Sequence, residues 1–294
     1  MRGLAMIALV LTGCGAQVGA DATSPDAAGD ATVADGDPDA TVMLGPWGAP
    51  QKVGVASDAA LNEDDGTLSY SGLEMVFAVQ NAADNNRKDL FYTSRPDLQS
   101  QFGIATKLPF SADGTSEETP RFSADDLKLF FAKSTTDNGL DINVVTRSAP
   151  GSTTWSAPQP VTEVNSVNTD KWFMPCSNGT DYLMITNADV AEGTVGSAPV
   201  IDANLSSASG ETGTFLTKDC LTAYFASTRP DGAANHIYRS TRTAIGQPWS
   251  TPAMVTDFAG LGGNQQDPFI SNDDRIFVFV SDVGGTNDVY ISTR

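Results

Sequence analysis

The chain has 294 residues, enough to bury a large core as one repeat-built domain or as two ordinary ones. Thirty-six acidic residues face seventeen basic ones, a formal charge of −19. That balance favours solubility and argues against nucleic acid as a partner, because phosphates would be repelled.

Met1-Arg2 supplies a short positive start, and the apolar run LAMIALVL follows. The run is too short for the ~20 residues that span a bilayer and reads as a leader over residues 1–13. Leu11-Thr12-Gly13-Cys14 resembles the bacterial lipobox. The resemblance implies cleavage before Cys14, diacylglycerol on its sulfur, and, with Gly15 rather than Asp at the next position, an outer-membrane address. An ordinary secretory leader with a chance cysteine is the alternative. Two or more acyl chains would make a durable anchor, and no later apolar run is long enough to cross a membrane.

Residues 14–46 have the composition of an extended, disordered tether: Ala, Gly, Asp, Thr, Ser and Pro without apolar periodicity. Asp35, Asp37 and Asp39 alternate as in a calcium loop, but Ala40 stands where glycine is needed and Pro46 where a bidentate glutamate belongs. A self-repelling spacer is the better reading.

From Trp47 to Arg294 one pattern recurs five times. Its first hairpins are LSYSGLEMVFAV, FSADDLKLFFAK, PCSNGTDYLMIT, LTKDCLTAYFAS and ISNDDRIFVFVS. They share a column at Ser69, Ser123, Cys176, Thr217 and Ser271, followed by the turn pairs Ser71-Gly72, Asp125-Asp126, Asn178-Gly179, Asp219-Cys220 and Asp273-Asp274. These pairs suit two-residue hairpins with positive φ. Third strands follow as KDLFYTSR, LDINVVTR, NHIYRSTR and NDVYISTR; the third copy offers only SAPVIDAN there. A fourth element reads WGAPQKV, FGIATKL, WSAPQPV and WSTPAMV, and is missing between the third and fourth copies.

Four strands per unit at this period predict an all-β fold, a β-propeller of five four-stranded blades over residues 47–294. A single blade cannot bury both apolar faces, and a closed ring leaves no end blade. The chain opens on a fourth-strand element and ends on a third strand, so Trp47–Val53 is expected to complete the last blade, with each such Trp wedged between blades. Cys176 and Cys220 could pair in an oxidising compartment, but their positions are three places out of register on adjacent units, which argues against a bond.

The motifs Pro120-Arg121-Phe122-Ser123-Ala124-Asp125, Asp267-Pro268-Phe269-Ile270-Ser271, Asp89-Leu90-Phe91 and Asp288-Val289-Tyr290 resemble the TolB-like, WD-repeat-like propeller family. With the lipobox and tether, the resemblance implies an envelope lipoprotein, periplasmic or surface-facing, scaffolding a protein or glycan partner and touching the membrane only through lipid on Cys14. A monomer without cofactor is expected.

Chemistry has few carriers. The single histidine, His236, sits in a third strand and reads as structural; no nucleophile elbow, zinc set or phosphate loop is present, and no catalytic residue is assigned. One acid precedes each first strand, giving Asp64, Glu118, Asp170, Glu211 and Asp267 as a candidate ring at the channel mouth for a cation or basic ligand. Loop acids that cap backbone N–H groups are the plainer reading. Calcium held by such loops is a further possibility. Five-bladed propellers also include furanosidases and related glycoside hydrolases. On that alternative Asp64, Glu118 and Asp170 would serve as base, acid and tuning residue.

Overall fold

The computed structural model describes residues 44–56, 58, 61–134, 139–229 and 232–294. The leader, Cys14 and all but the end of the tether lie outside the described residues. The chain order is β1 (Gln51–Lys52); β2 (Glu63–Leu68), β3 (Glu74–Asn81), β4 (Arg87–Ser94) and β5 (Thr106–Lys107); then β6 (Glu117–Phe122), β7 (Lys128–Ser134), β8 (Leu140–Thr146) and β9 (Gln159–Pro160). It continues with β10 (Asp170–Pro175), β11 (Asp181–Thr186), β12 (Asp189–Thr194) and β13 (Val200–Ile201); β14 (Glu211–Leu216), β15 (Thr222–Ser227), β16 (His236–Thr241) and β17 (Ala253–Met254); and β18 (Gln265–Ile270), β19 (Ile276–Ser281) and β20 (Asp288–Thr293). One helical turn, α1 (Thr256–Ala259), lies between the fourth and fifth blades.

These strands form five four-stranded antiparallel sheets. The chain is a five-bladed β-propeller. Its innermost strands neighbour one another round the axis in the order β2, β6, β10, β14, β18 and back to β2. The apolar faces between blades carry the core, with Phe77, Phe122, Phe131, Phe215, Phe225, Phe269, Phe277 and Phe279 all at or below 2% exposure. Each blade hides its faces against its neighbours, as expected for sheets that cannot do so alone.

The ring closes at β1. Gln51 and Lys52 pair with Ile291 and Tyr290 of β20, Gly48 N–H donates to Thr293 O at 2.9 Å, and Val53 N–H donates to Val289 O at 2.9 Å. Lys52 also pairs with Asp288. The Trp47 ring packs between Phe258 and Phe277, with centroids 6.2 and 5.5 Å away.

A latch repeats in four blades. The arginine that ends each third strand lies over an aromatic ring of the following link: Arg95 on Phe102 at 4.6 Å, Arg147 on Trp155 at 4.7 Å, Arg242 on Trp249 at 4.3 Å, and Arg294 on Trp47 at 4.1 Å. The Nε–H of each donates to the carbonyl of Gly72, Asp126, Cys220 or Asp274. Cation–π attraction and a charge-assisted hydrogen bond thus join three segments of one blade.

The hairpin turns differ from the two-residue form. Only the second member of each pair has positive φ: Gly72 71°, Asp126 58°, Gly179 76°, Cys220 64° and Asp274 55°. The loop is longer because the column hydroxyl takes over a ladder position. Ser69, Ser123, Thr217 and Ser271 accept from the N–H groups of Glu74, Lys128, Thr222 and Ile276 at 2.9–3.1 Å.

Two further expectations are corrected. The third copy is a complete blade: its second turn is tightened to Asn187-Ala188, both at positive φ, which brings β12 forward and leaves β13 inside the SAPVIDAN segment. The short interval comes from that turn and from the brief link between Thr194 and Val200. Cys176 and Cys220 do form a disulfide, with Cα atoms 5.6 Å apart. The three-place offset is the stagger between neighbouring blades. The left-handed turn residue of one blade reaches the column of the blade before it, as Asp126 does in accepting at 2.7 Å from the N–H of Tyr70, the residue after the column's Ser69.

Replacing Trp47 with Ala opens the clasp and should cost about 3 kcal/mol, a fall of about 10 °C in Tm by differential scanning calorimetry. Joint replacement of Cys176 and Cys220 by Ala should cost about 2–4 kcal/mol in urea unfolding, and reducing agent should then have no further effect.

Candidate functional site at the propeller axis

All five innermost strands break register at the same place, between Asp64 and Thr67, Glu118 and Arg121, Lys171 and Met174, Thr212 and Phe215, and Gln266 and Phe269. The residue just after the first of each pair is left-handed: Asp65 57°, Thr119 56°, Trp172 47°, Gly213 62° and Asp267 54°. Only Gly213 adopts this geometry without cost; in Thr119 and Trp172 it is strained. A Cβ on Gly213 would meet the Asp267 backbone nitrogen at 2.6 Å, so the bulges are in close contact there. The kink carries each strand's side chains toward the axis, which ordinary alternation would not do.

The five sequence-predicted acids fall on three levels of this kinked strand. Asp170 and Glu211 share the outermost level with Glu63, Glu117 and Gln265. These side chains anchor loops. Asp170 accepts from Ser166 N–H at 2.6 Å, Glu117 from the Ser111 and Thr115 hydroxyls at 2.9 and 2.6 Å, and Glu63 from Asp58 N–H at 3.0 Å. Glu211 accepts from Ser207 N–H at 3.0 Å and pairs with Arg229. The loop-capping reading describes this level. Asp64 and Glu118 lie one residue further along, level with Lys171, Thr212 and Gln266, and Asp267 is on the bulge itself beside Asp65.

The last two levels converge on a buried ionic cluster. Lys88, from β4, places Nζ 2.7 Å from Asp64, 3.2 Å from Asp65 and 3.6 Å from Glu118. Lys171 Nζ lies 2.9 Å from Glu118. The Trp172 indole donates to Asp65 at 3.0 Å, and Gln266 donates to Asp64 at 3.3 Å. Arg121 is fully buried; it donates to Pro120 O at 2.9 Å and Thr214 O at 3.3 Å. One Asp267 carboxyl oxygen and one Arg121 nitrogen are buried without a hydrogen-bond partner. Asp65 is the second acid of the Asp64-Asp65 pair that the sequence places ahead of the first strand, whereas Lys88, Arg121 and Trp172 were not marked as site residues, because the bulge that gathers them has no marker other than Gly213.

Burial, the largest single influence, would raise Asp64 and Glu118, but it is overcome at Asp64 by the Lys88 ammonium together with hydrogen bonds from Asp267, Lys88 and Asp65 N–H, and at Glu118 by Lys88 and Lys171 together, so both sit below their ordinary values. Asp267 is pushed well above the carboxylate range by burial and by the charges of Asp65 and Asp64. Burial raises Asp65 as well, against the pull of Lys88. The carboxyls of Asp64, Asp65, Glu118 and Asp267 are thus set against the cations Lys88, Lys171 and Arg121. Charges this deep are tolerated only when paired.

Asp64, Asp65 and Asp267 bring one oxygen each within 4.8 Å of one another, a hard donor set of the kind that suits Ca2+ or Mn2+. Lys88 already lies against two of the three, so a divalent ion there would have to displace an ammonium. Of Asp64, Glu118 and Asp170, the first two meet at Lys88, while Asp170 accepts from Ser166. His236 lies in β16 and shares a 2.9 Å hydrogen bond with Gln265.

No protein-family model and no curated protein matches the sequence. Solved structures do match the fold. A GH62 hydrolase in complex with xylotriose aligns at 10% identity over 85% of this chain and 97% of that one, with a TM-score of 0.56. The α-L-arabinofuranosidase of Podospora anserina in complex with cellotriose aligns at 12% identity over 85% and 96%, with a TM-score of 0.55. A putative TolB from Agrobacterium tumefaciens aligns at 15% identity over 74% and 69%, with a TM-score of 0.49. Likeness at these identities establishes the β-propeller fold and nothing finer.

The pKa directions carry a testable sign. Asp64 and Glu118 are depressed in the fold, so their stabilisation is present above about pH 4 and is lost as pH falls through their folded values. Asp267 acts oppositely: the fold keeps a proton that the unfolded chain releases near pH 4, so stability falls as pH rises above it. Asp267→Asn should therefore be more stable than the parent at pH 7 and converge with it near pH 4, read from urea midpoints across pH.

Proposed function

We propose that this chain is a non-catalytic binding propeller of the bacterial cell envelope, held to the outer membrane by lipid on Cys14 and presenting its disc to a protein or glycan partner. The observation that carries this is the fate of the axial carboxylates. Glycoside hydrolysis needs one carboxyl able to give up a proton and another facing substrate across an open pocket. Here Asp64 and Glu118 are bound to Lys88 and Lys171, Asp65 and Asp267 are at most 1% exposed, and Asp170 holds a loop. The recurring residues of the blades are likewise used in latches, caps and bulges. Lipobox, acidic spacer and repeat domain together describe a module displayed at a distance from a membrane.

The full-length protein should release no sugar from aryl arabinofuranosides, xylosides or xylo-oligosaccharides, and photo-crosslinking in native membranes should capture a discrete partner. Turnover that disappears in Asp64→Asn and Glu118→Gln would overturn the reading in favour of the hydrolase alternative.

A further inference from the structure

Three of the five spaces between blades contain a tryptophan from the fourth-strand element, and a fourth space is served by Phe102. Trp155 lies between the first and second blades, 6.4 Å from both Phe110 and Phe122. Trp249 lies between the third and fourth, donating its indole N–H to Glu192 at 3.2 Å. Trp47 lies between the fourth and fifth, and Phe102 packs on the cluster that joins the fifth and first. In every case an arginine lies over the ring.

The third blade has neither part of this latch. Val195 stands where the arginine belongs: its N–H bonds to Thr180 O as those of Arg95, Arg147, Arg242 and Arg294 bond to Leu73, Leu127, Leu221 and Arg275. The short link to β13 contains no aromatic residue. The space between the second and third blades is accordingly a cleft of about 420 Å3, within the range of small-ligand pockets. Phe130, Val144 and Val161 line it from one blade, and Phe173, Pro175 and Val195 from the other. Val195 is 50% exposed, and the neighbouring β13 residues Val200 and Ile201 are 68% and 44% exposed.

We propose that this cleft is a docking site for an aromatic side chain, tryptophan above all, presented by a polypeptide partner. The proposal rests on the reading of the domain as a binding module and names its partner class. Two features select the occupant. The other bays show that the blade geometry accepts a ring at this place under a cation. The cleft supplies that cation from its opposite wall: Lys128 lines it at the column-relative position where the first blade has Glu74, which pairs with Arg147. The Phe130 and Phe173 rings touch, with centroids 4.9 Å apart, and form the floor of the cleft; a ring laid on that floor beside Lys128 would meet a positive charge complementary to its negative face. Ser123, Asp125, Thr146 and Ser177 give the cleft a polar rim around its apolar floor, and the exposed valines and isoleucine at the blade's edge suit an apolar polypeptide segment.

The test uses full-length protein and a synthetic peptide copying residues 153–160, with its tryptophan as 5-fluorotryptophan, followed by fluorine NMR. The peptide should bind with a Kd of about 0.1–1 mM, as suits one anchoring ring with short flanks. Replacing its tryptophan by alanine should abolish binding. Lys128→Met should weaken it about threefold through loss of the cation. Val195→Arg, at an exposed position, should tighten it by restoring the latch. Absence of binding, or binding indifferent to the ring and to both variants, overturns the proposal. So does displacement of Phe130 and Phe173 resonances by xylotriose but not by the peptide. Such a failure leaves the binding-module reading intact if membrane crosslinking still captures a partner, whereas substrate turnover would overturn that reading without touching the cleft.

Discussion

An arginine laid over an aromatic ring, with its Nε–H on the carbonyl of a left-handed turn residue, is the interaction on which the ring of blades depends. It ties the first hairpin, the end of the third strand and the start of the fourth into one unit. It also sets the aromatic ring into the space shared with the preceding blade. Local order within a blade and packing between blades are thereby one event. Burial of the sheet faces supplies most of the driving force, and the latch fixes where the faces meet. At the fifth blade the same contact is made between the two ends of the domain, Arg294 and Trp47, so closing the ring repeats an interaction already made three times.

The axis follows a different rule. Five bulges at one level turn side chains inward from strands that would otherwise alternate, and the acids and bases gathered there pair with one another. This explains how a strongly acidic chain can keep Arg121 fully buried and why the acids of the inner strands are unequal in role. Symmetry of the backbone does not carry symmetry of chemistry, since each level draws its residues from a different column.

Much of the fold was legible because its signals are local. Ser69, Ser123, Thr217 and Ser271 mark a turn by their hydroxyls, and the Trp-bearing elements mark a strand start. The order of elements alone shows that Trp47–Val53 must complete the fifth blade. The bulge was not legible: Thr119 and Trp172 are residues that seldom accept positive φ, and Asp65 and Asp267, which tolerate it, stand where nothing in a pattern of alternation announces a kink. The disulfide was misjudged for a related reason. Register between repeats is not register in space, because neighbouring blades are staggered by three positions at the turn. The third copy departs from the common pattern because its second turn is tighter than the others, although its four strands are all present.

Closure rests on a strand of two residues, and that strand comes directly after the segment leading to the N-terminus. A pull on the chain ahead of Trp47, as a lipid on Cys14 would exert, is delivered to the clasp before it reaches any blade. Under the proposed anchoring, the strand that makes the circle whole would also bear the leash, and mechanical load would test the seam first.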